Sequence, residues 1–143
     1  MASQPAAWSA YHFERRLRLP HLFDRRLQSV LVIRFDPTQY NYILAGEEPY
    51  FVLRFPEGGS LVSSARCLHR GGPLHLGEWA SADQCLMCPW HGTRYSKKIL
   101  AKRAVPSVEN KGLISMILDV SPETSVRLYK RTGVADPLCG RDS

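Results

Sequence analysis

Apolar and polar residues along this chain fall into short runs separated by Gly/Pro turns. SVLVIRF (29–35) reads as a strand, and DPTQ (36–39) as the turn that follows it. YNYIL (40–44) alternates, AGEEP (45–49) turns, and YFVLRF (50–55) reads as a third strand. PEGG (56–59) turns again, and LVSSA (61–65) forms a fourth strand that leads directly into a Cys-His segment. Further along, LISMILDV (113–120) and SVRLYK (125–130) are two more strands around SPET. Short strands joined by Gly/Pro turns predict an all-β domain. Residues 1–27 break the pattern and read as a basic arm. Phe13 and Leu17 lie at helical spacing there, and Pro20 interrupts them. Residues 132–143 read as a polar tail.

Composition narrows the class. The 143 residues are 44% hydrophobic and 22% charged, which suits one buried core. No apolar run approaches the roughly 18–20 residues of a membrane span. The N-terminal stretch lacks the pattern of a secretory signal. Lys plus Arg is 19 against 13 for Asp plus Glu, a formal charge of +6. The excess collects in residues 1–34 and in Arg94, Lys97, Lys98, Lys102 and Arg103, where no acid intervenes. Such a patch steers acidic partners. No motif for nucleic-acid binding accompanies it. The expected compartment is the cytoplasm; the Arg-rich start also fits a mitochondrial leader, against which Glu14 and Asp24 count.

The candidate chemistry lies in two short segments. Cys67 and His69 stand two positions apart in CLHRGG, and Cys88 and His91 three apart in CPWHG. Two tight loops side by side would present two thiolates and two imidazoles to one centre. A single Zn2+ accepts that set, and so does a [2Fe-2S] cluster with Cys on one iron and His on the other. Structural zinc sites pair like ligands within a knuckle. Here each loop mixes one Cys with one His, which suits two metal atoms. Gly71 and Gly92 allow tight loops whose N–H groups face bridging sulfides. Cys85, in CLMC, reads as a strand cysteine leading into the second box, with alternative ligand as its other role. His75 reads as a structural loop histidine, and His12, His21 and Cys139 as surface or tail residues.

The two boxes, with Pro89, Trp90 and Gly92 in pattern and GGPLHLG after the first, resemble the Rieske iron–sulfur family. The resemblance covers about residues 28–131. It implies an antiparallel β-sandwich base carrying an inserted cluster-binding subdomain at about residues 66–92. It implies one [2Fe-2S] cluster per chain, with Cys67 and Cys88 on the buried iron and His69 and His91 on the outer one. Gly71, Trp90, Gly92, Thr93 and Tyr95 would surround it. Hydroxyls at Thr93 and Tyr95 correspond to those that bond a sulfur in high-potential members. Respiratory members join an extra cysteine from each box as a disulfide, and neither box here carries one.

A small soluble ferredoxin is therefore the expected type. It would not be an enzyme itself but would pass single electrons from a reductase to an oxygenase through an acidic partner surface. Residues 92–143 contain no histidine, so the chain given is not expected to carry an oxygenase's own iron site. The alternatives are an accessory or redox-sensing subunit and, more weakly, a zinc-stabilised interaction module.

Overall fold

A computed structural model describes residues 30–55, 58–80, 82 and 84–132. Both proposed termini, with His12, His21 and Cys139, lie essentially outside these residues. Ten strands and one short helix are present among them: β1 (Leu31–Phe35), β2 (Tyr42–Ala45), β3 (Glu48–Arg54), β4 (Ser60–Ser64), β5 (Glu78–Ala80), β6 (Cys85–Met87), β7 (Arg94–Ser96), α1 (Lys97–Lys102), β8 (Ser107–Asn110), β9 (Leu113–Leu118) and β10 (Val126–Tyr129). All strand pairings are antiparallel, in three sheets ordered β1-β9-β8, β10-β2-β3-β4 and β5-β6-β7. The all-β expectation is met, and six predicted strands coincide with β1, β2, β3, β4, β9 and β10.

The four-stranded sheet is the middle layer. One of its faces sends Ile43, Ala45, Val52 and Val62 against Ile33, Phe35, Ile114, Met116 and Leu118 of the β1-β9-β8 sheet. The other face sends Tyr42, Phe51 and Leu53 against Cys67, Leu74, Leu86, Cys88, Tyr95 and Leu100. Successive strand residues point to opposite faces, so a strand buried on both sides is apolar at every position. That is why YFVL in β3 is an unbroken run rather than an alternating one: Phe51, Val52 and Leu53 are all buried. The second core brings the cysteines of both boxes onto the same sheet.

Five elements escaped the sequence pattern. The β5-β6-β7 sheet is built from strands of three residues each. β8 is exposed at every position, so it carries no apolar alternation. Helix α1 has only six residues; the Ser96 side chain accepts from the Ile99 N–H at its start, and Leu100 is its one buried residue.

His75 lies in the 3-10 turn Leu74–Leu76 and is buried, its ring 4.9 Å from that of Tyr42. Its Nδ1 has no hydrogen-bond partner among the described residues. Burial disfavours the imidazolium, the nearby Arg131 cation adds to this, and a bond to the Ala65 carbonyl works against both; the net pKa lies below 6.5. As pH falls the unfolded chain therefore takes up a proton here more readily than the folded chain, and stability decreases as pH decreases. The slope is at most about 1.4 kcal/mol per pH unit for one proton. Denaturant titrations from pH 7 to 5 should show a shallower loss for His75→Leu than for wild type.

Candidate metal centre

The two boxes fold into matching loops. In the first, residues 67–72, the Cys67 N–H donates to the Gly72 carbonyl and the Gly71 N–H to the Cys67 carbonyl, both at 2.8 Å. In the second, residues 88–93, the Cys88 N–H donates to the Thr93 carbonyl and the Gly92 N–H to the Cys88 carbonyl, both at 2.9 Å. Gly71 and Gly92 hold the same fifth position, each at φ +67°. That left-handed backbone is natural to glycine and costs other residues about 1–2 kcal/mol.

Each loop has its own anchor. The first leaves β4 and is pinched shut by a bridge between Arg66 and Pro73. The second is the tip of the β6–β7 hairpin, between the paired residues Met87 and Arg94.

Within these frames the donors sort by kind. Cys67 and Cys88 are buried, at 3% and 0% exposure, and the Cys88 thiol lies within hydrogen-bonding reach of Cys67. His69 and His91 are exposed, with ring centroids 4.9 Å apart at 77°. No three His, Cys, Asp or Glu side chains among the described residues converge as a site for one metal ion. Each loop nevertheless pairs a buried thiol with an exposed imidazole, a donor set with unlike ends. The donor set therefore fits a Rieske-type cluster better than a lone Zn2+.

Tyr95 supports the sulfur end. Its hydroxyl lies 3.0 Å from Cys67 Sγ and accepts from the Leu68 N–H at 3.0 Å. Burial and the bond to Cys67 both raise the Tyr95 pKa, so the phenol keeps its proton; in the bond between them either the hydroxyl or the thiol can donate. For Cys67, burial pushes the pKa up. The Tyr95 hydroxyl, the N–H of His69, the Cys88 thiol and the N–H of Arg70 outweigh it, and the net shift is downward. What Thr93 supplies is its carbonyl, to Cys88.

Two further site residues were hard to single out in the sequence. Gly72 is buried, and a Cβ there would meet Cys88 Sγ at 3.1 Å and the Trp90 ring at 3.2 Å. Its only sequence signal is its place beside Gly71. Leu68 contributes through its main chain, which side-chain chemistry does not announce. Cys85 is half-buried in β6, paired with Ala80 and Ser96. Cys67, Cys85 and Cys88 form no disulfide.

The basic segment divides. Arg94, Lys98 and Lys102 are exposed, whereas Lys97 places its ammonium 4.1 Å from the centre of the Phe55 ring. Arg103 turns inward, its Nη2 donating to the Arg66 carbonyl at 2.8 Å. The predicted run of five surface cations is therefore narrower than its sequence.

The family model for the Rieske [2Fe-2S] domain matches residues 31–117, well over half of the chain. The chain belongs to the Rieske [2Fe-2S] family. As a Rieske domain it binds a [2Fe-2S] cluster and serves electron transfer. A human Rieske domain-containing protein is 43% identical over 42 residues, covering 28% of this chain and 27% of that protein. Cholesterol 7-desaturase nvd 1 of Ciona intestinalis is 36% identical over 62 residues, covering 43% of this chain and 13% of the desaturase. The match thus spans about a quarter or less of these relatives' lengths. No solved structure matches. No helix among the described residues is long and apolar enough to cross a membrane.

Gly72→Ala should lower iron content and thermal stability together, because its methyl group presses on Cys88 and Trp90 inside the site. Gly71→Ala meets open space, so it should cost only the backbone term and retain most of the iron. Iron assay with thermal melts of both variants checks the contrast; equal losses would mean that close packing at Gly72 is unimportant.

Proposed function

We propose that Cys67 and Cys88 ligate one iron of the cluster, His69 and His91 the other, and that the protein carries single electrons from a reductase to an oxygenase-type partner. The observation that carries this reading is that the same two loops bury both thiols, Cys67 and Cys88, and bring the exposed His69 and His91 rings to 4.9 Å from each other. In this reading the bound [2Fe-2S] cluster supplies a one-electron couple. The chain's residues do the rest. The imidazoles bring the iron end to the surface, where a partner can approach. The cysteines, packed on Phe51 and Leu53, keep water from the sulfur end. Tyr95 withdraws charge from Cys67, and loop N–H groups stabilise added negative charge.

Beside the histidines two large apolar side chains are exposed, Leu68 at 69% and Trp90 at 62%, together with the cation Arg70. Arg94, Lys98 and Lys102 are the exposed cations of the adjoining β7–α1 segment. A small apolar contact with a charged approach suits a transient electron-transfer encounter with an acidic partner. The desaturase relative, of which the matched segment is a small part, supports a domain that feeds oxidative chemistry performed elsewhere. In this reading the chain is a ferredoxin-type carrier rather than an enzyme, working in the reducing cytoplasm. Residues 66–92 serve as the cluster-binding unit within a base of residues 28–131, flanked by an arm and a tail.

Cys67→Ser and Cys88→Ser should each purify without the cluster's iron and colour and with reduced folded yield, because metal binding contributes to folding. Cys85→Ser should keep both. Iron and sulfide assay decides: wild-type content in either of the first two overturns the ligand set, and loss in the third makes Cys85 a ligand.

Reversing Lys98 and Lys102 to Glu should slow reduction by a reductase in stopped flow at low salt and matter less at high salt. A rate indifferent to both changes would remove this face from docking, and no turnover with any reductase would favour the accessory-subunit reading.

Tyr95→Phe should lower the midpoint potential by tens of millivolts in voltammetry. Only the difference in the bond's strength between the two oxidation states moves the potential, a fraction of the about 1.5–3 kcal/mol that one hydrogen bond to a charged group is worth, and 59 mV is about 1.4 kcal/mol for a one-electron couple. The wild-type value should lie in the lower half of the roughly −150 to +300 mV family span.

A further inference from the structure

Arg103 ends α1 and turns back towards the first cysteine loop. Its Nη2 donates to the carbonyl of Arg66, the peptide group immediately before Cys67. Its guanidinium carbon lies 5.5 Å from the centre of the Tyr95 ring, and Tyr95 is the residue whose hydroxyl meets Cys67 Sγ. Arg103 Nη1 is buried with no hydrogen-bond partner among the described residues. No carboxylate among those residues lies within ion-pair distance of it; the one ion pair nearby joins Arg66 to Glu48.

This arrangement is poorly explained as a structural clamp alone. Holding one carbonyl needs one donor, and any polar side chain of similar reach would supply it. A cation with a buried, unpaired nitrogen carries a desolvation cost that such a clamp does not require. The charge has a use if the group it faces becomes more negative. Reduction adds one electron to the cluster, with no bond made or broken, and potentials of such centres respond to nearby charge and to hydrogen bonds on sulfur.

We infer that Arg103 is a positioning residue that tunes the redox poise of the centre. It fixes Tyr95 and the Arg66–Cys67 peptide from behind, and its uncompensated positive charge favours the reduced state. The inference rests on the reading of Cys67 as a cluster ligand and adds to it a residue outside both boxes. It also explains why Arg103 leaves the basic docking face while Lys98 and Lys102 stay on it.

The test uses the iron-loaded full chain, with midpoint potential, iron content and the paramagnetic resonance of the reduced state as readouts. Arg103→Gln keeps a donor for the Arg66 carbonyl and removes the charge. It should retain iron and spectrum but shift the reduction equilibrium about tenfold towards the oxidised form, a fall of 59 mV for a one-electron couple. Arg103→Lys restores the charge without the planar fork and should stay within about threefold of wild type, about half a decade on the same scale. A wild-type potential in Arg103→Gln overturns the inference, as does a fall in Arg103→Lys as large as that in Arg103→Gln. If Arg103→Gln purifies without iron, the lysine variant decides: a wild-type potential supports the charge, and a tenfold shift contradicts it. Failure of the ligand reading is separate, because it appears as retained iron in Cys67→Ser whatever Arg103 does.

Discussion

Two main-chain hydrogen bonds close each cysteine box, and the geometry of the tip depends on them. In both loops the cysteine N–H and carbonyl are tied to residues five and four positions further on, with a left-handed glycine at the fifth position. That closure turns each cysteine inward and the histidine outward. The loops differ in one respect: the histidine is third in one and fourth in the other. The two rings nevertheless meet at 4.9 Å, since the loops have separate anchors, one on the β4 exit and one on the β6–β7 hairpin.

The middle sheet supports both loops. Its strands bury both faces, one against a conventional sheet partner and one against the metal-binding unit. Cys67 and Cys88 thus belong to a hydrophobic core as much as to the proposed metal site. The packing that stabilises the fold also excludes water from the sulfur end. Tyr95 joins the two roles: its ring is core, and its hydroxyl bridges Cys67 and the Leu68 amide. Beside it the half-buried Arg103 sets a cation 5.5 Å from the Tyr95 ring centre.

Legibility in the sequence followed the physics of each element. β1, β3 and β9 were readable because a strand with a buried face must carry apolar residues, and β3 carries them continuously. β8 was unreadable because all four of its residues are exposed, and its pairing with β9 is a main-chain matter. β5, β6 and β7 are too short to show a period. α1 had one signal, Ser96 before a run of helix formers, but six residues with a single buried leucine leave no amphipathic stripe. At the site, Cys67, His69, Cys88 and His91 stood out because their spacing is chemical. Tyr95 stood out through the family resemblance. Gly72 acts by lacking a side chain, Leu68 through its N–H, and Arg103 by folding away from the basic run in which it was counted. None of those three roles leaves a pattern in composition or spacing.

The central claim is that one metal pair is held by two unlike ends, sulfur within and imidazole without. Pulsed electron paramagnetic resonance on the reduced protein, with histidine labelled by 15N, tests it most directly. The account predicts a paramagnetic reduced state with two strongly coupled imidazole nitrogens, one of them lost in His69→Cys and the other in His91→Cys. A spectrum without coupled histidine nitrogen, or a metal-loaded protein that stays silent on reduction, would contradict it.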